Sequence, residues 1–284
     1  PVSAVRVVTE EHGAAMLASQ PPGSPWPETP GVPRLIAELD GSMVPRVETA
    51  APESVEGPPD RRKTRHLSWT EARLCLVREP GSVTPRFGAT MGTVEAAGDQ
   101  LWACAVAAGV GNQTRIHGVG DGAPWIADQV ERTLGAQATY LIDFYHLCDY
   151  LAAAAAVVAA LDPAAWLTEK KTWLKTNRWA DVLDTLRPAV EPDDVADEAA
   201  PVRACVRYLA NRTGSLDYQG ALAGELPIGS GEIESAHRYI IQSRLKRAGT
   251  WWTADNLANM LALRVLRANR EWEAYWTHVN QEAA

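Results

Sequence analysis

The chain has 284 residues, of which 46% are hydrophobic and 22% charged. This is the make-up of a globular protein with a sizeable core, and it excludes a wholly disordered chain. The formal net charge of −8 argues against a surface that is basic all over, as nucleic-acid binders often carry.

The charge is uneven. Arg61 to Arg65 and Arg238 to Arg247 are basic runs, while much of the acid sits in Glu191 to Glu198. A local basic strip can hold phosphates on an acidic protein. The four cysteines, Cys75, Cys104, Cys148 and Cys205, form no CxxC pair and read as free thiols of a reduced cytoplasmic protein. The longest apolar run, Leu151 to Leu161, is too short and too alanine-rich to span a bilayer, so no membrane partner is expected. The sequence starts at Pro1 without a methionine, and an N-terminal part is expected to be missing.

In chain order, Val7 to Gln20 reads as a helix and Pro21 to Pro33 as a Pro/Gly-rich linker. Arg34 to Leu39 is a short apolar strand that runs into Asp40-Gly41. Residues 50 to 66 read as a polar, Pro-rich loop. Trp69 to Arg78 alternates as a strand, and Gly98 to Gly109 is a helix. Gln113 to Gly120 is a strand ending at Asp121-Gly122, followed by a helix from Ala123 to Leu134 and a strand from Thr139 to Phe144. From His146 to about Ala223 the pattern is almost wholly helical, with an acidic break at Glu191 to Pro201. After Gly229-Ser230-Gly231 a helix runs from about Glu232 to Arg247, and a last helix pair carries Leu257 to Leu266 and a Trp-rich tail. Strands and helices, then a helical block, then a terminal helix suit an α/β core with an all-helical insertion before its last helix.

Phosphodiester chemistry uses divalent ions held by carboxylates, so acids at the ends of rigid elements are the candidates. Asp40 and Asp121 each follow an apolar strand and precede a glycine. Each also fits an ordinary turn or cap aspartate. Glu232 and Glu234 open the helix after GSG and point to nearly opposite sides, so one of them faces the other acids. Glu232 also fits a first-turn acid on the helix dipole, and Glu234 an ion pair with Arg238. Arg238, Arg244, Lys246 and Arg247 follow as phosphate grips or as a solvated basic face. Trp251 and Trp252 are stacking platforms or packing, with packing the better reading for at least one. Asp143 and His146 form a D-x-x-H, read as a metal or proton-relay pair or as a buried structural histidine.

The stretches GDGAPWI, LIDFYHLCDYL and GSGEIESAHRYIIQSRLKRAGTWW, with the tail LALRVLRANREWEAYW, resemble the ISKra family of bacterial insertion-sequence transposases, relatives of the Mutator-like transposases. The resemblance runs from about Val2 to Trp276. It implies a ribonuclease-H-like fold and a DDE triad of Asp40, Asp121 and Glu234 holding two Mg²⁺ or Mn²⁺ ions. Asp143 and His146 match the D-x-x-H that stands behind such a triad. Four segments are thereby expected: 1–33, a helical remnant and linker; 34–146, the first part of the core; 147–228, the helical insertion; and 229–284, the C-terminal core helices with the catalytic Glu. The implied activity is metal-dependent cleavage and strand transfer of DNA by a homo-oligomer, acting on transposon ends and target at the bacterial nucleoid. The N-terminal DNA-binding region that full-length members of that family carry is expected to be missing. Two other readings stand beside this one. One is a ribonuclease-H-like nuclease that cuts without joining, and the other is an inactive, transposase-derived DNA-binding protein.

Overall fold

The computed structural model describes residues 2–18, 25–49 and 65–282. The expected loop at 50–66 lies outside the described residues up to residue 64, as do Arg61 to Thr64 of the first basic run and the first part of the linker, to residue 24. The protein is mixed α/β and divides into two compact units. One comprises residues up to Thr114 together with those from Glu232 onward; the other is Arg115–Gly231.

In the first unit, helix α1 (Val2–Ala18) precedes strands β1 (Arg34–Thr49), β2 (Arg65–Arg78) and β3 (Arg86–Thr90), and helix α2 (Val94–Ala107) follows. β2 pairs antiparallel with both β1 and β3. Leu35, Ile36, Ala37 and Leu39 are all buried. β1 is thus covered on both faces in its first half, which is why it reads as a continuous apolar run rather than an alternation. The strand does not stop at Asp40-Gly41. It continues to Thr49, with Asp40 opposite Leu74 and Gly41 opposite Arg73. The Asp-Gly turn preference is local and weak, and a ladder with a partner of similar length overrides it. A Cβ at position 41 would meet the end of the Glu71 side chain, which would have to move aside. β3 was not foreseen; its five residues are too few for a period to register.

After residue 231 the same unit takes up α9 (Gly231–Ala236), a π-helical segment from His237 to Gln242, α10 (Ser243–Leu245), α11 (Ala254–Ala268) and α12 (Trp272–Glu282). Val44, Leu74, Leu76, Phe87, Ile233, Ile240 and Leu257 share one core. The sequence suggested a single helix from Glu232 to Arg247. Instead, i→i+5 bonding widens it in mid-course; the N–H of Ser243 donates to the carbonyl of Arg238. Arg264 of α11 donates to the carbonyls of Tyr239 and Ile240 and to the Ser243 hydroxyl, supplying partners that an irregular helix would otherwise lack.

The second unit contains β4 (Arg115–Gly120), α3 (Pro124–Leu134) and β5 (Ala138–Ile142), with β4 and β5 parallel. A helix between parallel strands is the expected crossover. Helices α4 (Phe144–Val158), α5 (Pro163–Lys175), α6 (Trp179–Leu186), α7 (Pro201–Ala210) and α8 (Tyr218–Ala223) follow. Leu147, Leu151, Leu174, Leu183, Leu209 and Tyr218 pack into one core with Leu141 and Ile142 of β5. The helical block is therefore built on the β4–α3–β5 unit. No helix among the described residues is long and apolar enough to cross a membrane.

Candidate functional site

In the first unit, Glu38 and Asp40 point to the same face of β1, two residues apart. Glu38 is 1% exposed, and its Oε2 accepts the Ile233 N–H at 2.8 Å. That bond satisfies one of the orphan donors at the start of α9 and ties the helix to the strand. One step along, Asp40 is partly open. Its Oδ1 accepts its neighbour's N–H, from Gly41, at 2.7 Å. Its Oδ2 lies 3.2 Å from Nε2 of His237. The helix from Ile233 to His237 thus lies along Glu38 to Asp40.

Glu232 and Glu234 separate as their spacing requires. Glu232 is engaged by Arg78, whose Nε donates to its Oε2 at 2.5 Å. Glu234 is exposed and makes no hydrogen bond or ion pair among the described residues; Arg238, the partner its spacing suggested, is not paired with it. Three residues separate Glu234 from His237, which places the two on one side of the helix, the side from which His237 meets Asp40.

The basic residues continue along this segment. Arg238, Lys246 and Arg247 are exposed. Lys246 Nζ reaches the Ser42 hydroxyl at 3.5 Å, two residues along β1 from Asp40. Arg244 is half-buried, its guanidinium 5.0 Å from the Trp252 ring centroid. The Trp252 carbonyl accepts the Val47 N–H at 2.7 Å, and its ring packs on the core. Trp251 is 51% exposed, with Arg65 stacked 5.6 Å from its ring. One tryptophan packs and the other is open.

In the second unit, Asp121 follows β4 at once. Its Oδ1 accepts the Ala123 N–H at 2.8 Å, the Asx turn that its sequence setting allows, while Oδ2 accepts no hydrogen bond among the described residues. The turn is clamped from three sides. Tyr208 donates to the Asp121 carbonyl at 2.6 Å, Arg212 to the Gly122 carbonyl at 2.7 Å, and the Gly122 N–H to the Tyr140 hydroxyl at 3.2 Å. Gly122 has φ +83°, and a Cβ there would collide with Tyr208 and Arg212, so this position requires glycine. Burial pushes both the Tyr140 and the Tyr208 phenol well above the usual range, so these hydroxyls act as fixed hydrogen-bonding groups, not as proton carriers.

Asp143 is 2% exposed. Its Oδ1 caps α4 through the N–H groups of Tyr145 (2.6 Å) and His146 (3.0 Å), and its Oδ2 accepts both the N–H and the hydroxyl of Ser230 at 2.6 Å. Its own N–H donates to the Gly120 carbonyl at 2.7 Å. Four accepted bonds fill the carboxylate, so Asp143 braces the end of β4 and the GSG segment. The His146 ring sits among aromatic rings, its centroid 5.5 Å from Tyr150 and 5.9 Å from Tyr208, with those two tyrosines stacked at 4.3 Å. His146 thereby backs the residue that holds the Asp121 turn.

Asp40 and Glu234 belong to the first unit and Asp121 to the second. Among the described residues, no three His, Cys, Asp or Glu side chains stand close enough together to hold a metal ion. The donors themselves suit a hard divalent cation: carboxylate oxygens, with those of Glu234 and one of Asp121 making no hydrogen bond among the described residues. Sequence reasoning missed Glu38, Arg78, Tyr208 and His237. His237 alone had a readable signal, three residues beyond Glu234 on a helix. The others are joined only by the tertiary fold.

Residues 111–279 match the family described as Uncharacterised protein family (UPF0236). No curated protein and no solved structure matches the chain.

Proposed function

We propose that this chain, which belongs to the family UPF0236, is the catalytic part of a DDE-type insertion-sequence transposase of the ISKra kind. On this reading it has a ribonuclease-H-like core interrupted by an all-helical insertion, α4 to α8. The observation that carries the proposal is the state of the acids. Asp40 is fixed in mid-strand yet partly open, and beside it runs a helix on which Glu232 is consumed by Arg78 while Glu234 has no partner among the described residues. That leaves the Glu234 carboxylate, unpaired among the described residues, open to a further ligand. Asp121, on a clamped turn, keeps one oxygen for a further ligand.

Asp40, Asp121 and Glu234 would hold Mg²⁺ or Mn²⁺. When bound, two such ions supply electrophilic stabilisation of in-line phosphoryl transfer. Arg244 and Lys246 would hold phosphates close to Asp40, with Arg238 and Arg247 extending the strip; such contacts position DNA without reading its sequence. Asp143 keeps β4 and the GSG segment in place, and His146 supports the Asp121 turn through Tyr208.

The test is a cleavage and strand-transfer assay on DNA bearing the element's terminal sequences. The full chain is used, with Mg²⁺ or Mn²⁺ and an Asp121→Asn control. Joined products that disappear in the control are the expected result. Cutting without joining would favour a nuclease, and DNA binding with neither reaction an inactive descendant.

A further inference from the structure

We infer that His237 is a metal ligand, donating Nε2 to the same divalent ion as Asp40, so that this half of the site is a mixed nitrogen and oxygen centre. The inference rests on the reading of Asp40 as a metal-binding acid.

Three observations carry it. His237 is 3% exposed, and neither ring nitrogen makes a hydrogen bond among the described residues. A buried imidazole left in that state costs free energy, about 1–3 kcal/mol for each unsatisfied group, and calls for a partner. Its Nε2 faces Asp40 Oδ2 at 3.2 Å without the angle of a hydrogen bond. Two donors bound at about 2.1 Å and at right angles to one ion lie about 3.0 Å apart, so the pair is already spaced as neighbouring ligands. Finally, His237 opens the π-helical segment. Such widened turns are frequent at functional sites, and here Arg264 satisfies carbonyls of that segment. The remaining coordination positions would be filled by water and phosphate oxygen, as is usual for an ion that keeps several waters. A nitrogen ligand disfavours Mg²⁺, which wants oxygen, relative to Mn²⁺ and the later divalent metals.

The experiment is electron spin-echo spectroscopy of Mn²⁺ added to the metal-stripped full chain. Mn²⁺ affinity is measured alongside for the wild type, His237→Gln, Asp40→Asn and the exposed control His278→Gln. Nitrogen modulation on bound Mn²⁺ is expected in the wild type and in His278→Gln. It is expected to vanish in His237→Gln, with affinity falling about tenfold or more, the scale of losing a group that tunes a metal site. Bound Mn²⁺ without nitrogen modulation, or modulation that survives His237→Gln, would overturn the inference and leave the carboxylate site standing. If the wild type binds no Mn²⁺, or if Asp40→Asn binds it equally well, the carboxylate reading itself fails and the inference with it. Should His237→Gln not fold, ¹⁵N-histidine labelling of the wild type and Asp40→Asn decides. A histidine nitrogen signal present in the first and lost in the second supports the assignment, and its absence from the wild type refutes it.

Discussion

Asp143 illustrates how much a single buried carboxylate can organise. Its oxygens accept four hydrogen bonds, two from the start of α4 and two from Ser230. Asp143→Ala leaves these donors unsatisfied in the interior. It is expected to cost about 3–5 kcal/mol, the scale for breaking a buried charged network from one side, measured as a lower urea midpoint. Ser230→Ala removes one hydroxyl bond and should cost about 1–3 kcal/mol, since that bond is to a charged acceptor. Equal, small effects would mean that Asp143 is a solvated cap and not a brace. The same scale separates two acids that the sequence could not tell apart: Glu232 is spent on Arg78, and Glu234 is not.

At the scale of the element, the acidic run from Glu191 to Glu198 is more than a solvated stretch. The Glu191 carboxylate accepts the N–H groups of Val202 (3.0 Å) and Arg203 (2.7 Å) in the first turn of α7. Asp197 pairs with Arg203 and Arg207. For Glu191, slight burial raises the carboxyl's pKa, but the two donated N–H groups and the Arg203 charge outweigh it, and the net position is below the ordinary 4.5. A depressed acid stabilises the fold above its unfolded value, and that contribution is lost as pH falls through 4.5 and below. Glu191→Ala is expected to destabilise by about 1 kcal/mol, as loss of a helix cap does. The deficit should shrink in urea titrations repeated near pH 3. A deficit unchanged between pH 7 and pH 3 would rule out the cap as its source. Helices α5, α7 and α9 illustrate how unequal elements are in legibility. The first two announce themselves by Pro at the first helical position. The widening that follows α9 has no sequence signature, because it depends on Arg264 arriving from α11.

On the scale of the whole molecule, an acidic protein with a local basic strip should bind DNA weakly and with strong dependence on salt. Each phosphate contact made releases condensed counterions and steepens the fall of log affinity with log salt by about 0.9. Replacing Lys246 with Ala is expected to flatten that slope by about one contact and to weaken all DNA sequences alike, measured by fluorescence anisotropy between low and physiological salt. An unchanged slope would remove Lys246 from the phosphate strip.

Composition and period were enough to establish a mixed α/β protein with a long helical block, because buried strands and amphipathic helices leave their spacing in the sequence. They also picked out Asp40, Asp121 and the Glu232/Glu234 pair as acids beside glycines or at a helix start. What they misjudged was the course of β1, which passes through Asp40-Gly41 because its ladder with β2 continues. What they could not contain was the placement of His237 against Asp40, of Arg78 against Glu232, and of Tyr208 and Arg212 around the Asp121 turn. Local sequence encodes dihedral preference and hydrophobic period. Those four placements join residues from 87 to 197 positions apart, and only the packed core brings such distant side chains within hydrogen-bonding or ion-pairing reach.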